Sequence, residues 1–321
     1  MSGAHGVTRP VLPFVAQADA DSTAAWVAAL QRAMPQERVQ PLAALSAEAR
    51  RDCRVAIVAN PHPDDLRTLP ALHWVHSVWA GVERLMTDLA DTRLHIVRLV
   101  DPQLAQTMAE AVLAWTLYLH RDMPTYARLQ REARWQPLPA VRAQHRTVGL
   151  LGLGALGAAA AAALRQAGFP VLGWSRTPKA LPGVHSHHGD DGLDALLAQA
   201  DVLVCLLPLT PDTRGLLNAA RLQRLRPGAS LINFARGALV DDAALRDALD
   251  TGHLRHAVLD VFATEPLPAS SWHWAHPAVT VLPHISAPTD RESASALVAA
   301  HVAQYRATGE LPAGVDRQRG Y

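Results

Sequence analysis

The sequence predicts an α/β protein of two parallel-sheet domains, one inserted into the other, and three observations carry that prediction. The stretch Thr147 to Lys179, TVGLLGLGALGAAAAAALRQAGFPVLGWSRTPK, runs from a short apolar strand through Gly152, Gly154 and Gly157, spaced G-x-G-x-x-G. It continues into an alanine-rich helix and leaves at Gly168 into a second strand. On both sides of it, short apolar runs alternate with helical stretches, the pattern of a parallel sheet covered on both faces. The 321 residues suffice for two domains, each with a sizeable core.

Taken in order, Val11 to Val15 reads as a strand, and Ser22 or Thr23 as the cap of a helix to about Met34. Arg54 to Ala59 (RVAIVA), Trp74 to Val78 and His95 to Val100 follow as strands, the first two separated by the turn-rich NPHPDD. Asp101-Pro102 breaks this pattern and marks a domain crossover. Gln103 to His120 (QLAQTMAEAVLAWTLYLH) is then a helix apolar nearly all round, which implies burial on several sides and a candidate subunit contact. A segment ending in Trp135 and QPLPA leads into the glycine-rich unit. Beyond Lys179 come a helix over Leu193 to Gln199, a strand over Asp201 to Leu207, a helix to Leu225 and a strand over Ser230 to Phe234. Asp241 or Asp242 caps a helix to Leu249; His256 to Phe262 and Val279 to Leu282 are the last strands. Thr289-Asp-Arg-Glu292 reads as a capping box opening a helix to about Tyr305, followed by an irregular tail. If the first domain lacks a covering helix, this last one returns to it. The substrate domain is then 1–101 with 287–321, flavodoxin-like, and the inserted Rossmann-like domain is 102–286, with a hinged cleft at the crossing.

Each fingerprint glycine has its own task. Gly152 makes the tight turn, Gly154 lets the backbone approach a pyrophosphate, and Gly157 lets helix and strand pack closely. The pyrophosphate then lies on the helix N-terminus, beside Ala155 and Leu156. At the end of the second strand, where an NAD enzyme carries a carboxylate for the ribose hydroxyls, stand Trp174, Ser175, Arg176, Thr177 and, just beyond, Lys179. Ser175, Thr177 and the Arg176 fork suit a 2′-phosphate, and Lys179 is the one lysine among thirty basic residues, so NADPH is expected over NADH. The competing reading makes Arg176 and Lys179 solvated loop charges in an enzyme that uses either cofactor.

In open α/β sheets ligands lie beyond the carboxyl ends of the strands, and Arg236, Asp260, Glu265 and His284 stand there. Reducing a 2-oxo acid needs a hydride donor, a cation for the carboxylate and a proton donor for the new alkoxide. Arg236 suits the second task and His284 the third, with Glu265 to orient the histidine. Singly each has a dull explanation, since sixteen histidines are present; their joint placement on successive strand ends is what points to chemistry. In WAGVE, Gly81 and Val82 either offer backbone N–H groups to a carboxylate or form a tight turn and no more.

The segments GLLGLGALG, INFARGALV, LDVFATEPLP and VLPHISAPT resemble the D-isomer-specific 2-hydroxyacid dehydrogenases over most of the chain. WAGVE, the long helix with ARWQPLP, GWSRTPK and the terminal GVDRQRGY resemble, more narrowly, the bacterial glyoxylate/hydroxypyruvate reductase A group. The resemblance implies NADPH-dependent reduction of glyoxylate to glycolate and hydroxypyruvate to D-glycerate. It implies catalytic roles for Arg236 in substrate binding, Glu265 in assisting the histidine and His284 as proton donor. It further implies a nicotinamide contact from Asp260, carboxylate binding by the Gly81 and Val82 amides, a homodimer, and a tryptophan like Trp135 reaching the partner's active site. Leu207, Pro208, Phe234, Ala235 and Ser286 complete the expected cofactor contacts; Trp79 and Ala80 join Gly81, Val82, Arg236 and His284 as expected substrate contacts. Trp79 and Glu83 depart from the pattern, which has a small residue and Asp there. A bulky Trp79 either narrows the pocket towards small acids or packs away from it. A larger 2-oxo acid such as phenylpyruvate is the alternative substrate, and an NADPH-sensing regulator the alternative function, although a sensor needs no proton donor.

Composition excludes other classes. A net charge of +1 and 49% hydrophobic residues suggest neither a nucleic-acid partner nor an anionic membrane. Cys53 and Cys205, far apart and in apolar runs, read as buried free thiols in a reducing compartment, and no export signal is evident, so the cytoplasm is expected. The uncharged run Val148 to Leu164 approaches the ~18 residues of a membrane helix, but its glycines make it a strand, turn and helix. His185, His187, His188, Asp190 and Asp191 lie in what reads as a glycine-bounded loop without regular ligand spacing, so no metal is expected. Trp272, His273, Trp274 and His276 form a cluster with no evident chemical role.

Overall fold

The computed structural model describes residues 10–317 and residue 320; the first nine residues and Gln318, Arg319 and Tyr321 of the GVDRQRGY tail lie outside the described residues. The chain divides into two compact units, Met1–Asp101 with Thr289–Tyr321, and Pro102–Pro288.

The first unit begins with β1 (Val11–Ala16), α1 (Ala20–Ala33), β2 (Arg38–Pro41), α2 (Ala47–Arg51), β3 (Val55–Ala59), α3 (Pro63–Arg67), β4 (Trp74–Ser77), α4 (Glu83–Asp88) and β5 (His95–Val97). The five strands form one parallel sheet in the order β2-β1-β3-β4-β5. Leu12, Phe14, Ile57 and Trp74 enter one core cluster, while Val15, Ala56, Val58 and Val75 enter another. Alternate residues of each strand thus bury opposite faces, which is why these strands read as unbroken apolar runs. The cap of α1 is Asp19, whose carboxylate accepts from the Ser22 N–H at 2.7 Å, not Ser22 or Thr23. The helix starts one turn earlier because an acid at that position reaches the first free amides. β2 lacks an apolar alternation and was not expected; at the sheet edge it needs only β1 as a neighbour.

The second unit holds α5 (Pro102–His120), α6 (Met123–Arg131), β6 (Val148–Leu151), α7 (Ala155–Gln166), β7 (Val171–Ser175), β8 (His185–His188), α8 (Gly189–Leu197) and β9 (Val202–Cys205). It is completed by α9 (Ala219–Arg224), β10 (Ala229–Asn233), α10 (Asp242–Asp250), β11 (Leu254–Leu259) and β12 (Val279–Val281). The parallel order β12-β11-β10-β9-β6-β7-β8 reverses direction at β6, between β9 and β7. That switch point is where such sheets open a crevice at their carboxyl ends, and the G-x-G-x-x-G turn leaves β6 there. Met108, Val112 and Leu119 of α5 share a core cluster with Ala160, Ala161 and Leu164 of α7. The segment read as a histidine loop is an edge strand: β8 pairs with β7, and the Trp174 indole donates to the Gly189 carbonyl at 2.8 Å. Its polar side chains suit an edge and conceal the strand from an apolar pattern. Three central strands stop early, at Cys205, Asn233 and Leu259, and the next residues, Leu206, Phe234 and Asp260, each keep one backbone bond to a neighbouring strand.

Helix α11 (Arg291–Thr308) completes the first unit, with Ala294, Val298 and Val302 in the core cluster of Phe14 and Trp74. The expected capping box is corrected: Asp290 is the cap and accepts from the Ser293 N–H at 2.8 Å, while Glu292 pairs with Arg32. The tail then ties to the sheet edge. The Val315 N–H donates to the Ile96 carbonyl at 2.8 Å, and Arg317 donates to the Leu89 and Leu94 carbonyls.

Each unit buries a histidine. His76 bonds the Ser77 carbonyl and His301, and His256 bonds Thr280; burial takes the pKa of each from 6.5 down to about 4. Both are neutral in the folded chain at pH 5 and protonated in the unfolded one. Unfolding therefore takes up protons, and stability is lost as pH falls from about 6.5 towards 4. Each shift corresponds to about 3 kcal/mol at the lower limit. Denaturant titrations at pH 7.0, 5.5 and 4.5 are expected to show falling midpoints, and His76→Gln and His256→Gln should each flatten part of that dependence. Burial also pushes the Cys205 thiol up to about 12, and it raises Cys53, so neither is poised as a nucleophile. No helix among the described residues is long and apolar enough to cross a membrane.

Candidate active site

The glycine turn shows three different local reasons for its three glycines. Gly152 has φ +107°, and a Cβ there would lie 2.8 Å from the Leu206 carbonyl oxygen. At Gly157 a Cβ would fall 1.8 Å from the Gly152 carbonyl oxygen, so only glycine lets α7 start this close to β6. Gly154 faces open space within 4 Å, and it caps α7 without a side-chain bond. The first amides of α7, at Ala155, Leu156 and Gly157, therefore meet no side-chain cap at an open surface, which fits a dinucleotide pyrophosphate.

The end of β7 lies beside this turn. Lys179 Nζ donates to the Leu153 carbonyl at 3.3 Å, and Ser175 Oγ donates to the Thr177 carbonyl at 2.8 Å. Arg176 Nη1 lies 3.1 Å from Asp212 Oδ2. Sequence reading missed Asp212, because its partner is across the loop that follows β9. Leu207, Phe234 and Ala235 are buried in the core clusters, so what they offer a ligand is backbone at the strand ends.

Arg236 follows β10 on a short turn fixed by Asn233. The buried Asn233 side chain donates to the Arg236 carbonyl at 3.0 Å and accepts from the Ala235 N–H at 3.2 Å, and Arg236 Nη1 donates to the Ala235 carbonyl. Asn233 is also a residue that sequence reading missed; its signal is an amide closing a buried apolar strand. A Cβ on Gly237 would lie 2.0 Å from the Phe262 carbonyl carbon, so the arginine turn abuts the segment after β11. That segment carries Glu265. Its Oε1 accepts from the Phe262 N–H at 2.9 Å, and its Oε2 lies 2.8 Å from His284 Nδ1. A carboxylate only accepts, so Nδ1 carries the proton and Nε2 is turned away from Glu265.

His284 itself has φ +55°, a left-handed conformation that costs a non-glycine residue about 1 kcal/mol or more. Asp260 holds it there. Its two carboxylate oxygens accept from the Ile285 N–H at 2.7 Å and the Ser286 N–H at 2.9 Å. Asp260 is buried, so these bonds form away from competing water. The buried Ser286 hydroxyl has no hydrogen-bond partner, which suits a contact from a bound group such as a carboxamide.

In the first unit, Val82 caps α4, its carbonyl accepting from the Met86 N–H at 2.8 Å. The Trp79 ring packs edge-on to Trp26 with centroids 5.7 Å apart, against the core of that unit. The tryptophan–histidine cluster is structural: Trp272 and His273 both bond the Asp242 carboxylate, at 2.9 Å each, and His276 bonds Asp250. Among the described residues, no group of three or more His, Cys, Asp or Glu side chains is arranged to hold a metal ion.

Residues 113–286 match the family described as D-isomer specific 2-hydroxyacid dehydrogenase, NAD binding domain. The chain is a member of the D-isomer-specific 2-hydroxyacid dehydrogenase family. Among solved structures of this family, the D-isomer specific 2-hydroxyacid dehydrogenase from Xanthobacter autotrophicus, in complex with NADPH and MES, is 40% identical. It superposes with a TM-score of 0.90 over 98% of this chain and 100% of that one. An NADPH-dependent glyoxylate/hydroxypyruvate reductase from Sinorhizobium meliloti, in complex with NADP and sulfate, is 35% identical, with a TM-score of 0.89 over 97% and 99%. A probable 2-hydroxyacid dehydrogenase from Rhizobium etli, in complex with NADP, HEPES and L(+)-tartaric acid, is 32% identical, with a TM-score of 0.88 over 97% and 99%. The chain is thus an oxidoreductase of the 2-hydroxyacid dehydrogenase type.

Proposed function

We propose that this 2-hydroxyacid dehydrogenase uses NADPH, in preference to NADH, to reduce small 2-oxo acids, glyoxylate to glycolate and hydroxypyruvate to D-glycerate. The observation that carries the reading is the His284–Glu265 pair, 2.8 Å apart on a turn clamped by Asp260. Such a pair has no purpose in binding a nucleotide alone. The amides of Ala155, Leu156 and Gly157 would hold the pyrophosphate, and Ser175, Arg176, Thr177 and Lys179 the 2′-phosphate. When bound, the cofactor supplies a hydride to the carbonyl carbon. Arg236 binds the substrate carboxylate and polarises the carbonyl as negative charge builds on its oxygen. His284 gives its Nε2 proton to that oxygen, and Glu265 keeps the Nδ1 proton and the ring in place throughout. On the first unit, the Gly81 and Val82 amides are assigned to carboxylate binding. The Xanthobacter and Sinorhizobium relatives, crystallised with NADPH and NADP, support the cofactor.

The test is steady-state oxidation of NADPH, with NADH beside it, on glyoxylate, hydroxypyruvate, pyruvate and phenylpyruvate. Fast turnover of the first two with NADPH is expected; turnover confined to phenylpyruvate moves the function to larger acids, and none at all, with NADPH still bound, moves it to another substrate or to a sensor. Arg176→Ala should weaken NADPH about tenfold or more and NADH less than twofold, because one charge-assisted contact to a phosphate is lost. Equal losses would remove the 2′-phosphate assignment.

We also assign the protein to the cytoplasm, where its two free thiols stay reduced, and to a homodimer. Leu117, Met123, Tyr126, Trp135 and Val141 are exposed large apolar residues within one stretch of the chain, and Trp135 is fully exposed. Sedimentation equilibrium should give twice the chain mass, and Met123→Asp with Tyr126→Asp should give the single-chain mass.

A further inference from the structure

We propose that Asp212 sets the strength of NADPH discrimination, by holding Arg176 in an ion pair that the 2′-phosphate must displace. The inference rests on the NADPH reading above. Three features of the molecule lead to it. Arg176 Nη1 and Asp212 Oδ2 are 3.1 Å apart, with the side chains 39% and 70% exposed, so an incoming anion reaches both. Asp212 is not on a loose loop. Thr210 N–H donates to Thr213 Oγ1 at 2.8 Å, Thr213 Oγ1 donates to the Pro208 carbonyl at 2.8 Å, and both threonines are buried. The arginine side is equally preset, through the Ser175 bond to the Thr177 carbonyl and the Lys179 bond to Leu153.

A fixed carboxylate next to the cation that reads a phosphate acts in two ways. It stands in for the phosphate, occupying the guanidinium and keeping it at the end of β7. It also repels the phosphate, which carries up to two negative charges, once that group arrives. Both effects oppose NADPH and leave NADH untouched, because NADH brings a hydroxyl to the same place. Asp212 thus lowers both the affinity for NADPH and its advantage over NADH, and it speeds release of NADP+.

Fluorescence titration of NADPH and NADH into the wild-type protein, Asp212→Asn and Arg176→Ala tests this. Asp212→Asn is expected to lower the NADPH Kd about 3- to 10-fold, with the NADH Kd within about twofold of wild type. It is an exposed substitution, so the unfolding midpoint should move by no more than about 3 °C, which separates the effect from loss of fold. If Asp212→Asn leaves NADPH unchanged or weakens it, while Arg176→Ala still weakens NADPH selectively, the proposal is overturned and the NADPH reading stands. If wild type binds NADPH and NADH alike and Arg176→Ala changes both alike, the NADPH reading itself fails and the proposal falls with it.

Discussion

Replacing His284 with alanine is expected to lower turnover of the preferred 2-oxo acid by about 100-fold or more, with the NADPH Kd within about twofold of wild type. The reasoning is geometric. Only the imidazole stands at the end of the Glu265–His284 bond, with Nε2 turned away from the carboxylate. The side chain is half exposed and makes no part of a core cluster, so its loss removes a proton donor without opening a cavity. Glu265→Gln gives a second measure. An amide at that position still accepts a hydrogen bond from Nδ1 but has no charge to stabilise the imidazolium, so turnover should fall less than in His284→Ala. The double variant should be no worse than His284→Ala alone, since the glutamate acts through the histidine. Near-normal turnover in His284→Ala would reject its role as proton donor. A variant that loses NADPH binding as well would show that the residue shapes the nucleotide site instead.

The parts of this fold that were legible in the sequence follow local rules. Gly152, Gly154 and Gly157 announce the turn by their spacing, and the constraint on Gly157 comes from the Gly152 carbonyl in the same turn, whereas that on Gly152 comes from Leu206 beyond β9. Central strands such as β3 and β10 are buried on both faces and so consist of unbroken apolar runs. The strands that escaped detection, β2 and β8, are edge strands; each pairs with one neighbour, and their polar side chains carry no pattern. Helix starts were legible only to a turn, because Asp19, Asp21, Ser22 and Thr23 are all able to cap and only the folded backbone selects Asp19. At the candidate site, Arg236, Glu265 and His284 were read from strand ends, but the groups that fix their turns were not. Asn233 reads as one polar residue closing a strand, and Asp212 meets Arg176 across 36 positions of sequence. Asp260 was read as a contact for the cofactor, and its carboxylate also holds the His284 turn, which the sequence did not show.

Arg306→Leu is expected to destabilise the first unit by about 3 kcal/mol, the usual scale for leaving a buried charge without its partner. Glu37 is almost fully buried, and its carboxylate receives both Nε and Nη2 of Arg306, at 3.0 and 3.1 Å. The pair links the end of α1 and the start of β2 to the last turns of α11, the helix that returns after the whole second unit has intervened. No backbone ladder makes that connection, so this ion pair, the exposed Arg32–Glu292 pair and the Val298 and Val302 packing hold it. Leucine keeps the hydrophobic stem but not the cation, and the carboxylate cannot turn to water without opening the α1–α11 contact. Glu37→Gln combined with Arg306→Leu should recover part of the loss, because a neutral amide costs less to bury than an orphaned carboxylate. Hydrogen exchange in denaturant at the α1 and α11 amides, which report on this unit, gives the measurement. An effect below about 0.5 kcal/mol in the single variant would show that the pair is screened by water, and that the apolar face of α11 and its Arg32–Glu292 and His76–His301 contacts hold the helix without it.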